Sequence, residues 1–69
     1  MPAWAQVMRD LRHLIDQGDL STGARLPTEN ELAERYGVSR ITVRQALARL
    51  AADGYVDRRQ GTGTFVSDR

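Results

Sequence analysis

Two helix start signals in this chain are separated by one helix stop. Thr28-Glu29-Asn30-Glu31 fits a capping box, with Thr28 as N-cap and Glu31 three residues on. Leu32, Ala33 and Tyr36 then form an apolar stripe, and Gly37 follows. Ser39, the next N-cap residue, comes two positions after that glycine. A stop and a start this close leave the backbone little freedom between two helices. The second of them carries Val43, Ala46, Leu47 and Leu50 on one face, runs to about Asp53 and closes at Gly54.

The spacing adds a packing argument. Ala33 is small where two crossing helices touch, Gly37 allows the positive φ of the turn, and Val43 returns an apolar group onto the first helix. Leu32, Tyr36, Val38 and Ala46 fill the supporting positions. This is the pattern of a helix-turn-helix, whose second helix lies in the major groove of DNA.

The flanking segments complete one small fold. Trp4, Val7, Met8, Leu11, Leu14 and Ile15 recur at helical spacing, so the reading predicts a first helix over about 4–17. Residues 18–24 read as a loop with Leu20 as anchor, and Arg25 and Leu26 as extended at most before Pro27. The second helix covers about 28–36 and the third about 39–53. Residues 55–66 read as a hairpin turning at Gln60-Gly61-Thr62-Gly63, with Thr64, Phe65 and Val66 holding it to the core. The expected fold class is mainly α with a small β-hairpin, a single domain over 1–69: a winged helix-turn-helix of three helices and a two-stranded wing.

Composition narrows the function. A chain of 69 residues buries too little surface for a well-shielded catalytic pocket. It has no cysteine and one histidine, His13, so neither a thiolate metal site nor a histidine-based triad can be assembled. Glu29, Glu31 and Glu34 are spaced for capping and solvation rather than paired acid–base work. The expectation is no enzyme, no cofactor and no metal. No apolar run has the length of a membrane span and no secretory leader is legible, so the expected location is cytoplasmic. The net charge of +1 by itself names no partner. The charge is uneven, however. Residues 1–24 hold two arginines against three aspartates, whereas residues 39–60 hold five arginines against two aspartates. Every positive residue is arginine, the side chain that binds phosphate or guanine with two hydrogen bonds at once.

With Val43, Ala46, Leu47 and Leu50 inward, the third helix turns Arg40, Ile41, Thr42, Arg44, Gln45 and Arg49 outward or to its flanks. Arginine pairs with guanine O6 and N7, glutamine with adenine, and Ile41 or Thr42 with a thymine methyl. Thr28 and Ser39 stand at helix N-termini, where hydroxyls and backbone N–H groups favour phosphate. Exposed arginines are commonly just solvated. Here, though, no acid lies between Arg40 and Arg49, unlike a helix held by its own ion pairs. Arg58 and Arg59 lead into the hairpin tip, where Gly61 permits close approach to a minor groove or a phosphate. Trp4 and Tyr55 read as aromatics at the core edge, and His13 as a surface residue.

These residues resemble a known family. Leu26-Pro27-Thr28-Glu29, Glu31-Leu32-Ala33, Gly37-Val38-Ser39-Arg40, Thr42-Val43-Arg44-Gln45-Ala46-Leu47, Leu50, Gly54 and Gly61-Thr62-Gly63-Thr64-Phe65-Val66 are similar, in order, to the DNA-binding domain of GntR-type bacterial transcription regulators. The Thr-Val-Arg-Gln-Ala-Leu and Gly-Thr-Phe-Val strings look most like the HutC branch. The resemblance implies binding to palindromic double-stranded operators as a dimer, usually as a repressor. It implies that Arg40 and Arg44 contact DNA from the recognition helix, Ser39 and Thr42 contact backbone or bases, and Gly61 enters the minor groove, with Gln60 beside it. Asn30 departs from the family pattern: many members have there an arginine that reads guanine. The resemblance also implies a C-terminal domain for dimerisation and small-molecule effectors. Arg69 follows the wing, so that domain is expected to be absent from this chain.

The competing reading is a winged helix used as a protein–protein module. Modules that have lost DNA binding tend to present acidic or apolar recognition faces, and this face presents arginines. No residue constellation supports a third reading as a small enzyme.

Overall fold

A computed structural model describes residues 2–59 and 61–67 of the chain. Three helices precede a hairpin: α1 is Ala3–Asp16, α2 is Glu29–Tyr36, α3 is Arg40–Ala52, β1 is Val56–Arg59 and β2 is Gly63–Val66. The order is the one expected from the sequence, with helix ends shifted by about one residue, as cap residues fall on either side of an assignment.

The caps form as their residue types dictate. The Thr28 N–H donates to Glu31 Oε1 at 2.8 Å and the Glu31 N–H donates to Thr28 Oγ1 at 3.1 Å, a closed capping box. The bond from the Thr28 backbone, then that from its side chain, holds the Glu31 carboxyl below its ordinary range. Gly37 ends α2 in the left-handed conformation, φ 66° and ψ 37°. A β-carbon there would meet nothing within 4 Å, so the position asks for glycine through backbone strain alone. Ser39 Oγ accepts the Thr42 N–H at 3.1 Å and starts α3.

The core is built on α3. Val43, Ala46, Leu47 and Leu50 are fully buried, and Val7 and Leu11 of α1, Leu32 of α2 and Val56 and Val66 of the hairpin close round them. The Tyr36 hydroxyl donates to the Asp10 carboxylate, tying α2 to α1. Burial first, and that bond second, push the Tyr36 phenol up to about 12.

Three features differ from expectation. Residues 23–26 pair with β2 through an isolated bridge, where the sequence predicts loop up to residue 24 and at most an unpaired extended stretch at Arg25 and Leu26. Arg25 bridges Phe65, the Leu26 N–H donates to the Thr64 carbonyl at 2.8 Å, and the Val66 N–H donates to the Ala24 carbonyl at 2.9 Å. This pairing draws Leu26 into the core, where it is buried. Gly63 belongs to β2, opposite Arg59, rather than to the turn. Phe65 does not hold the hairpin to the core. Strand side chains alternate, so the burial of Val66 turns Phe65 to the other face, where Arg59 lies 4.9 Å from its ring centre.

Candidate nucleic-acid interface

The N-terminal ends of α2 and α3 and the hairpin enclose one cleft. It is lined by Arg25, Thr28, Glu29, Asn30, Arg40, Arg44, Arg58, Arg59 and Gly61, with Leu26, Pro27, Thr62, Gly63 and Thr64. Two capped helix starts and, among the described residues, five arginines therefore border one space. Each capped helix start adds the positive end of its peptide dipoles.

Most of the candidate residues converge here. Arg44 and Arg40 stand on the first two turns of α3. Arg44 Nε donates to Glu29 Oε1 at 3.0 Å, and Arg40 donates through one terminal nitrogen to Asn30 Oδ1 at 3.2 Å. Arg58 reaches the other oxygen of the same carboxylate, Glu29 Oε2, at 3.4 Å. Arg59 pairs with Asp57 at 3.3 Å while lying over Phe65. All these groups are exposed or half-buried, so the pairs contribute little to stability and chiefly set direction.

The hydroxyl candidates have two roles. Thr28 Oγ1 accepts the Glu31 N–H, and the Thr28 side chain also bonds the Glu31 carboxylate, so the hydroxyl is engaged within its own capping box. Ser39 Oγ and Thr42 Oγ1 lie 3.0 Å apart and share one hydrogen bond. Ile41 is 67% exposed, the large apolar side chain most open to solvent among the described residues. An isolated isoleucine at that exposure, one residue from Arg40, suits contact with an apolar group such as a methyl.

Two candidates lie elsewhere. Gln45 and Arg49 line a separate shallow depression with Trp4, Ala48 and Ala52, and Arg49 sits 5.5 Å from the Trp4 ring centre. Arg49 thus covers an aromatic of α1, beyond the cleft. Gln60 lies outside the described residues. Sequence reasoning missed Glu29, Arg25 and Arg58 as members of the site. Glu29 looked like an ordinary first-turn acid, and its partners are 15 and 29 residues away. Among the described residues no group of histidine, aspartate or glutamate is placed to hold a metal ion, and no helix is long and apolar enough to cross a membrane.

Comparison with known proteins bears on this cleft. Residues 4–66 match the family model described as "Bacterial regulatory proteins, gntR family". The transcriptional repressor NagR of Bacillus subtilis is 46% identical over 97% of this chain, which corresponds to 28% of that protein. The probable fructoselysine utilization operon repressor of Escherichia coli is 48% identical over 96% of the chain and 27% of its own length. The chain thus spans little more than a quarter of these curated relatives. In structure it is similar to the DNA-binding domain of AraR in complex with an operator. That likeness has a TM-score of 0.95 at 42% identity, covering 97% of this chain and 81% of that one.

Proposed function

The chain belongs to the gntR family of bacterial regulatory proteins, and from that premise we propose that it reads double-stranded operator DNA. In this reading α3 enters the major groove, the wing tip at Gly61 enters the adjacent minor groove, and the domain serves a transcription repressor. One observation carries the reading. Arg40 and Arg44 sit side by side at the start of α3, each aimed by a partner on α2, in a cleft that joins both helix starts to the wing.

Each candidate takes a role from its place. Arg40 and Arg44 read base edges, since a guanidinium held at a helix start presents paired donors to guanine. Ile41 meets a thymine methyl. Thr28, Ser39 and Thr42 take phosphates and fix the register. Arg59, Gln60 and Gly61 form the wing contact. Gln45 and Arg49 flank the groove. Asn30 acts through Arg40, whose guanidinium it holds. Function is binding rather than catalysis, on cytoplasmic DNA. The operator is palindromic and engaged by two copies. The likeness to the HutC branch extends this to a longer protein whose further domain senses a small molecule.

Selection of bound duplexes from a random pool would return the half-site and its spacing. On the selected duplex, Arg40→Ala and Arg44→Ala are each expected to weaken binding by about 1–3 kcal/mol and to relax preference at one base position. Affinity unchanged in both variants would overturn the recognition-helix assignment.

A further inference from the structure

Arg25 is an arginine of the cleft that lies on neither the helix-turn-helix nor the hairpin. The fold nevertheless gives it a fixed place. Its backbone pairs with Phe65, and the hydrogen bonds to Ala24 and from Leu26 clamp the residues on either side. Leu26 is buried and Pro27 fixes its own φ, so the segment cannot slide along β2.

Pairing with Phe65 makes Gly63 the diagonal neighbour on the same face of the sheet. The absent side chain of Gly63 is where the Arg25 side chain lies. A β-carbon built on Gly63 would stand 2.9 Å from Arg25 Nε and 3.4 Å from one terminal nitrogen. Arg59 pairs with Gly63 from the opposite strand, so two guanidinium-bearing side chains flank one glycine.

The other cleft arginines are engaged. Glu29 holds Arg44 and Arg58, Asn30 holds Arg40 and Asp57 holds Arg59. Arg25 has no side-chain hydrogen bond or ion pair among the described residues, and its side chain is open to solvent. The Glu31 carboxylate attracts Arg25 through space without a hydrogen bond, so the five N–H donors of Arg25 stay unspent in a cleft shared with four other arginines, a place for an added anion. Its Cα stands at the level of Phe65, set back along the wing from the tip at Gly61. With the wing tip in a minor groove, as proposed above, that position would lie over a strand backbone rather than a base edge.

We propose that Arg25 is a further DNA-contact residue, which takes a backbone phosphate beside the wing across the space left by Gly63. The proposal rests on the DNA-binding reading above. Arg25→Gln and Arg25→Lys chains would be titrated against a duplex selected from a random pool and against a scrambled duplex, across salt, with the wild-type chain alongside. In Arg25→Gln the slope of log K against log salt is expected to be shallower by about 0.9, the value of one phosphate. Its affinity deficit is then about 3.5-fold larger at about 50 mM salt than at about 200 mM, and equal on both duplexes. Arg25→Lys keeps the wild-type slope. A wild-type slope in Arg25→Gln overturns the proposal, and so does a deficit confined to the selected duplex, which would mean base reading. Equal losses of thermal stability in both variants with unchanged slopes would make Arg25 structural, and also overturn it. A wild-type chain that binds neither duplex would instead sink the DNA-binding reading itself.

Discussion

Glu29 brings together two arginines that the chain places far apart, Arg44 on α3 and Arg58 on β1. An acid in the middle of an anion-binding cleft works against non-specific attraction, because it cancels positive charge. It also holds Arg44 in one direction before DNA arrives. These effects have opposite signs on the two kinds of DNA. Glu29→Gln is expected to leave stability nearly unchanged, since exposed pairs contribute about 0–1 kcal/mol. It is expected to raise affinity for scrambled DNA and lower it for the operator. The ratio should fall about 3- to 10-fold, the equivalent of about 0.6–1.4 kcal/mol. Competition binding with both duplexes measures this, and an unchanged ratio would remove the orienting role. The arginines of α3 are legible in the sequence because they share a helix face. Glu29 is not, because the identity of its partners is set by the turn at Gly37 and the return of the hairpin.

At the scale of elements, legibility follows how local the cause is. The capping box at Thr28, the stop at Gly37 and the cap at Ser39 act over three or four residues, and each forms as its residues predict. The bridged segment at Arg25 and Leu26 is not local. It has no alternating apolar pattern, and it exists only because β2 offers a free edge about forty residues later. The tie between α1 and α2 is another long-range element. Tyr36 donates to Asp10, and its phenol is raised from 10.0 to about 12 by burial and by that bond. The folded state therefore holds the phenolic proton more tightly than the unfolded chain. The stabilisation is fully present below about pH 10 and is lost as pH rises towards 12. Tyr36→Phe is expected to cost about 1 kcal/mol near neutrality, the worth of one hydrogen bond. Melting curves of both chains should show that gap close between about pH 10 and about pH 12. A gap that stays constant would mean that folding does not raise the Tyr36 phenol.

At the scale of the whole molecule, the net charge of +1 averages over two unlike surfaces. Among the described residues five arginines border the cleft, while α1 sets Asp10 and Asp16 among its own arginines on another side. A body with so few charges to spare, and one short helix in a groove, makes a limited number of phosphate contacts, so one copy should bind weakly. Two copies on a palindrome remedy this only if both can engage at once. Half-sites one helical turn apart lie about 34 Å from centre to centre. The domain measures 27 × 26 × 20 Å, so two copies fit side by side at that spacing without overlap. A flexible Gly/Ser linker has a root-mean-square reach of about 5–6 Å times the square root of its length, so about 40 residues match 34 Å. Two copies of this chain joined by such a linker are expected to bind the selected palindrome about 100-fold or more tightly than one copy. A linker of about five residues extends at most about 18 Å. It should therefore give little gain when the copies are joined at positions facing away from each other. Surface plasmon resonance on whole and half palindromes separates the cases. If the long-linked pair binds the whole palindrome no more tightly than the half, the two copies do not engage together, and the operator is read by one domain alone.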